Sequence, residues 1–205
     1  MIEIRQYQTA DGRAPFTEWM DTLRGRQAQA RIVTRIDRLQ AGLRGDWKTV
    51  GAGVFELRID SGPATECIAD KTGQRWCCCC ALATSDPNPK ISRQHMPTGK
   101  NTKPAAASIP FRAADYLRTR ADIAAYLEAM LADGDARAVP IALRTVADAV
   151  GGMAALAEKT GLSRETLYRT LSNKGNPRLD TLAAILAAFG LRLAVQSAKR
   201  IRKAA

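Results

Sequence analysis

Apolar and polar residues alternate at the start of the chain, where Ile2 and Ile4 are interleaved with Glu3 and Arg5, and this period of two predicts a short strand. Pro15 suits the first turn of a helix, where a missing N–H costs nothing, and Phe16, Trp19, Met20 and Leu23 then share one face. A second helix follows from Ile32, Ile36, Leu39 and Leu43, with Arg31, Arg35 and Arg38 assigned to its other surface and Gly42 and Gly45 loosening its end. Val54, Leu57 and Ile59, punctuated by Glu56, Arg58 and Asp60, predict a second strand that ends at Ser61-Gly62-Pro63. Residues 1–63 therefore read β-α-α-β.

The pattern then lapses. Ala64 to Thr102 shows no periodicity, is rich in Pro, Thr and Ser, and contains Trp76 followed by Cys77, Cys78, Cys79 and Cys80. Pro97 to Pro110, with Lys100, Lys103, Pro104 and the run Ala105 to Ala107, reads as a linker, so residues 64–110 are expected to be out of frame or disordered. Helical spacing returns at Thr119, which with Asp122 three residues on forms a near capping box ahead of Ile123, Tyr126, Leu127, Met130 and Leu131, closed by Gly134. Another helix is predicted from about Ala136 to Val150, carrying Ile141, Leu143, Val146 and Val150, before the break at Gly151-Gly152.

Met153 to Leu171 carry the sharpest functional pattern. Ala157 is small where two helices cross closely, and Gly161, four residues on, supplies the positive φ of a tight turn. Leu156, Leu162, Leu167 and Leu171 anchor the pair, and Ser163 is placed to cap the second helix. Arg164, Glu165, Thr166, Tyr168 and Arg169 remain exposed, a set of donors and acceptors that suits base edges and phosphates in a major groove. Asn173 and Lys174, in the loop that ends at Pro177, extend the candidate DNA contacts to the backbone. A helical hairpin with a Gly turn is common; the concurrence of the Ala157/Gly161 spacing, the capping serine and the basic face is what singles out DNA binding. A last helix carries Leu179, Leu182, Ile185, Leu186 and Phe189 up to Gly190, and Leu191 to Val195 alternates as a short strand able to pair with its symmetry mate in a homodimer. Lys199, Arg200, Arg202 and Lys203 form a basic tail over 198–205, read mainly as solvated.

Charge strengthens this picture. The chain of 205 residues carries a net +11, and a polyanionic partner is the first expectation because phosphate contacts release condensed counterions. Most of the excess lies from Lys100 onward, where 17 Lys and Arg face 9 Asp and Glu. No apolar run reaches the roughly 18 to 20 residues of a membrane span, and the start is unlike a signal peptide, so a cytoplasmic location without membrane partners is expected. Five cysteines, four of them adjacent, make a poor disulfide framework. A zinc module built on Cys67, Cys77, Cys80 and His95 has ligand spacing only at Cys77-x-x-Cys80 and lacks a second close pair, so no metal or other cofactor is expected.

Two resemblances add to the residue reading. Pro15-Phe16-x-x-Trp19, the Arg-rich second helix and Gly53 to Pro63 resemble the start of RelE/ParE-type toxins, in particular the phage Gp49-like, HigB-type branch of ribosome-dependent mRNA endonucleases. The resemblance stops at Pro63, where that family continues into a buried hydrophobic strand. The four cysteines suggest why: reading across codon junctions, Trp76 (TGG) into Cys77 gives GTG, Val, and every Cys-to-Cys junction gives Leu, so the neighbouring frame encodes the Val-Leu-Leu-Leu of such a strand. A one-base deletion near Pro63 accounts for this, with Met96 the start of an overlapping downstream reading frame.

Asp115 to Arg118, Ala124 to Ala129, Thr160 to Ser172 and Gly175-Asn176-Pro177 resemble the HigA-type addiction-module antidote family over 96–197. That resemblance implies a Cro/repressor-like fold, operator binding as a dimer and a RelE/ParE-type toxin as partner. The expected whole is an α+β protein: a toxin fragment over 1–63, the stretch 64–110, an all-α helix-turn-helix bundle over 111–197 and the tail. The expected function is a DNA-binding antitoxin and autorepressor rather than an enzyme, with Arg58 a vestigial catalytic candidate. The alternative is a fused, active mRNA endonuclease in which Arg58, assisted by Lys48, stabilises developing phosphate charge.

Overall fold

A computed structural model describes residues 2–23, 25–43, 45–51, 54–59, 65–72, 75–78, 108–132, 134–172 and 175–195. The expected β-α-α-β start is present as β1 (Glu3–Tyr7), α1 (Pro15–Thr22), α2 (Arg26–Gln40), β2 (Trp47–Gly51) and β3 (Val54–Ile59). The second strand of the sequence reading is thus β3, preceded by a hairpin partner, β2, that the pattern did not signal. Pro15 opens α1, and Phe16 and Met20 are buried with Trp19 and Leu23 packed beside them. On α2, Ile32, Val33, Ile36 and Leu39 are buried as the periodicity requires. Arg38 is buried too, correcting its assignment to the outer surface.

Residues 64–110, left without regular elements by the sequence pattern, contribute three strands: β4 (Thr65–Thr72), β5 (Arg75–Cys78) and β6 (Ser108–Pro110). The sheet runs β2-β3-β4-β5-β1-β6. β5 stands between β4, to which it is antiparallel, and β1, to which it is parallel with Ile4 opposite Trp76 and Arg5 opposite Cys77. Cross-strand pairing supplies what periodicity does not, because a strand is stabilised by its neighbours rather than by its own order of residues.

A 3-10 turn (Ala113–Tyr116) leads into five helices: α3 (Arg120–Leu131), α4 (Ala138–Ala149), α5 (Gly152–Thr160), α6 (Arg164–Thr170) and α7 (Leu179–Ala188). The box at the start of α3 is complete: Thr119 Oγ1 accepts from the Asp122 N–H at 3.2 Å, and Asp122 Oδ2 accepts from the Thr119 N–H at 2.9 Å. Gly151, at φ 111°, breaks the chain between α4 and α5, whose axes differ by 99°. Within the single chain no strand pairs with residues 191–195 among the described residues. One hydrophobic core runs through both parts, from Ile4, Phe16 and Ile36 through Phe111 and Tyr126 to Leu156, Leu167 and Ile185. Among the described residues no single helix is long and apolar enough to cross a membrane.

Candidate nucleic-acid interface

Only seven residues long, α6 is far too short to hold its conformation unaided. Three devices fix it. Gly161 takes φ 70°, ψ 6° and donates its N–H to the Ala157 carbonyl at 2.9 Å, so the chain leaves α5 in the left-handed conformation that glycine adopts without steric cost. Leu162 N donates to Thr160 Oγ1 at 3.3 Å, and that hydroxyl donates to the Leu156 carbonyl at 2.8 Å, which ties down the turn. Ser163 Oγ then accepts from the Thr166 N–H at 3.1 Å, satisfying one of the free donors at the start of α6.

Leu167 faces inward with no exposed surface, Leu171 is buried just beyond the helix, and Leu156 completes the contact from α5. With that face fixed, geometry turns Arg164, Glu165, Tyr168 and Arg169 outward; all four are exposed, Tyr168 at 52%, and Thr166 is half-buried. Among the described residues neither Arg164 nor Arg169 meets a carboxylate in an ion pair. The result is a small surface with two guanidinium groups, a carboxylate, hydroxyls and an aromatic ring on one short rigid helix. Such a set can donate in bidentate fashion to guanine or phosphate and accept from exocyclic amines.

Asn173 and Lys174 lie outside the described residues. Gly175 lies against the end of α6: a Cβ there would stand 1.9 Å from the Thr170 carbonyl oxygen, so only glycine fits. Gly175 N donates to the Ser172 carbonyl at 2.8 Å. Arg178, just ahead of α7 and largely exposed, lies 3.7 Å from Asp180. It was not singled out from the sequence, because nothing local distinguishes it from any solvated arginine.

The catalytic candidates Arg58 and Lys48 are elsewhere. Arg58 lies on β3 in register with Glu66 of β4, and Lys48 is exposed on β2 in register with Glu56. Of the zinc candidates, Cys67 is on β4 and Cys77 on β5, in register with Leu57 and Asp70, whereas Cys80 and His95 lie outside the described residues. Among the described residues no group of three or more His, Cys, Asp or Glu side chains could hold a metal ion.

Comparison with known proteins matches residues 107–197 to a family model described as "Probable addiction module antidote protein". An uncharacterized protein of Haemophilus influenzae is 33% identical over 89 residues, which are 43% of this chain and 91% of that protein. A second uncharacterized Haemophilus influenzae protein is 51% identical over 47 residues, 23% of this chain and 48% of the relative, so the chain spans about half the length of that one. No solved structure matches the chain.

Proposed function

The chain belongs, through residues 107–197, to the addiction module antidote family, and from that premise we propose that it is a cytoplasmic antitoxin that binds operator DNA through α6 as a homodimer and represses its own operon. Membership in that family implies a cognate toxin as partner. The observation that carries the DNA reading is the construction of α6: capped by Ser163, turned by Gly161, pinned by Leu167, and presenting Arg164 and Arg169 to solvent. In the helix-turn-helix geometry a second helix so placed enters the major groove by its N-terminal residues. Residues 1–63 are then the remnant of a RelE/ParE-type toxin, and residues 64–102 the out-of-frame continuation.

The test is an operator shift assay on the DNA upstream of the gene. Arg164→Ala and Arg169→Ala are each expected to weaken binding by about 1 to 3 kcal/mol if the residue contacts bases in bidentate fashion. Retention of full affinity in both variants would remove this surface from consideration.

One observation favours a second reading, a fused mRNA endonuclease. β4 and β5 fill the space between β3 and β1, so the sheet is not left open where the sequence resemblance stops. The proposal remains a protein without nuclease activity, since Trp76, Cys77 and Cys78 stand on β5 in place of the Val and Leu residues of the neighbouring frame. Growth arrest on expression that disappears in Arg58→Ala would reverse it.

A further inference from the structure

The face that α3 presents within the family-matched region is already occupied. α2 lies along α3, and β6 extends the first unit's sheet beside β1, with Gln6 opposite Ile109. Polar groups make the specific contacts. The Tyr126 hydroxyl donates to the Asp37 carboxylate, which also accepts from Thr145 Oγ1 at 2.7 Å on α4. Thr34 Oγ1 donates to the Tyr126 carbonyl at 3.4 Å. Arg38 donates to the Met130 carbonyl at 3.3 Å and lies 3.6 Å from the Asp135 carboxylate. Toward the rim, Arg26 pairs with Asp122 at 2.9 Å and Arg118 with Asp21 at 3.3 Å.

Thr34, Asp37 and Arg38 follow one another at i, i+3 and i+4, so they share one face of α2, and they are only 5%, 7% and 8% exposed. Burying a hydroxyl, a carboxylate and a guanidinium together is unfavourable unless each finds a partner, and here the partners come from α3, α4 and the turn between them. The discrimination is correspondingly sharp: a helix with a different triplet would leave the Tyr126 and Thr145 hydroxyls, or its own charges, buried without partners. α6 takes no part in these bonds, and its outer face stays exposed while α2 is docked.

We propose that this α3 face is the protein-recognition site of the antidote domain, that it reads a helix carrying hydroxyl, carboxylate and guanidinium at i, i+3 and i+4, and that in this chain α2 fills it in cis. The full-length protein is therefore closed at that face to a free partner bearing such a helix. The inference rests on the antidote reading only for the premise that the domain has a protein partner; it does not depend on DNA binding.

The test uses the full chain with a specific protease site inserted between residues 79 and 107 and a fluorophore on the amino terminus. After cutting, the labelled first fragment is expected to stay bound in native size-exclusion chromatography and to exchange slowly into unlabelled cut protein, with the helical circular dichroism unchanged. It is expected not to enter uncut chains, whose face is taken. Thr34→Ala combined with Arg38→Ala should speed release at least tenfold, and the rim variant Arg26→Ala, which leaves the core untouched, should speed it by a smaller factor. Release only in denaturant with loss of helix signal, or entry into uncut chains as readily as into cut ones, overturns the proposal. Arg164→Ala in the same chain should weaken operator binding and leave the exchange rate unchanged, so failure of one reading is separable from failure of the other.

Discussion

Asp37 lies on the buried face of α2 between Thr34 and Arg38, and its burial pushes its carboxyl above the ordinary range. Hydrogen bonds from Tyr126 and Thr145 pull the other way, and Asp148 nearby adds repulsion. Tyr126 is held well above its own ordinary range by burial and by that carboxylate, so its hydroxyl remains the donor. The sign of the linkage follows. A folded state that holds the Asp37 proton more tightly than the unfolded chain gains stability from this group below the unfolded value near 3.8, and loses it as pH rises through the folded value. Asp37→Asn removes the titration yet keeps an oxygen for Tyr126 and Thr145 to donate to. Urea midpoints measured from pH 4 to pH 8 should therefore improve, relative to the native chain, as pH increases; a difference independent of pH would rule out this role. None of this was legible in the sequence, where Asp37 and Arg38 look like solvated charges, because the signal lies in α3, some 90 residues away.

At the scale of elements, α3 to α7 were readable from sequence and β4 to β6 were not. Thr119 and Asp122 cap α3, Gly151 separates α4 from α5, and Gly161 and Ser163 delimit α6, and each acts through bonds to residues within a few positions of itself. Such local causes can be read along the chain. Substituting them has predictable costs: Ser163→Ala should lower stability by about 1 kcal/mol through loss of the cap, and Gly161→Ala by about 1 to 2 kcal/mol through a left-handed residue with a Cβ. Chemical denaturation checks both. A negligible effect at both positions would mean that α6 is held by Leu167 and the core alone. The strands behave differently. Leu191 to Val195 alternates well and pairs with no described strand of its own chain, whereas Thr65–Thr72 alternates poorly and is paired on both sides; pairing partners, not period, decide which segment joins the sheet.

For the whole molecule, net charge is the relevant quantity. On the proposed DNA-binding function, with +11 on the chain and most of the excess from Lys100 onward, operator affinity should fall steeply with salt, since each phosphate neutralised contributes about 0.9 to the slope of log K against log salt. Arg178→Ala, at the exposed start of α7, is expected to reduce that slope by about 1 and to weaken all DNA sequences alike. An unchanged slope would place Arg178 outside the contact surface. Base discrimination should instead follow Arg164 and Arg169, so the two classes of variant separate phosphate contacts from base contacts.

The sequence by itself determined the helices of the second half, the turn and cap that set up α6, and which of its side chains face solvent, because helical periodicity, a positive φ and an N-cap are short-range effects. The tertiary structure alone decided that β4 and β5 complete a sheet between β3 and β1, and that Thr34, Asp37 and Arg38 are buried against α3. Both depend on which distant segments meet, and the free energy of a paired strand or a buried charge resides in the partner it meets.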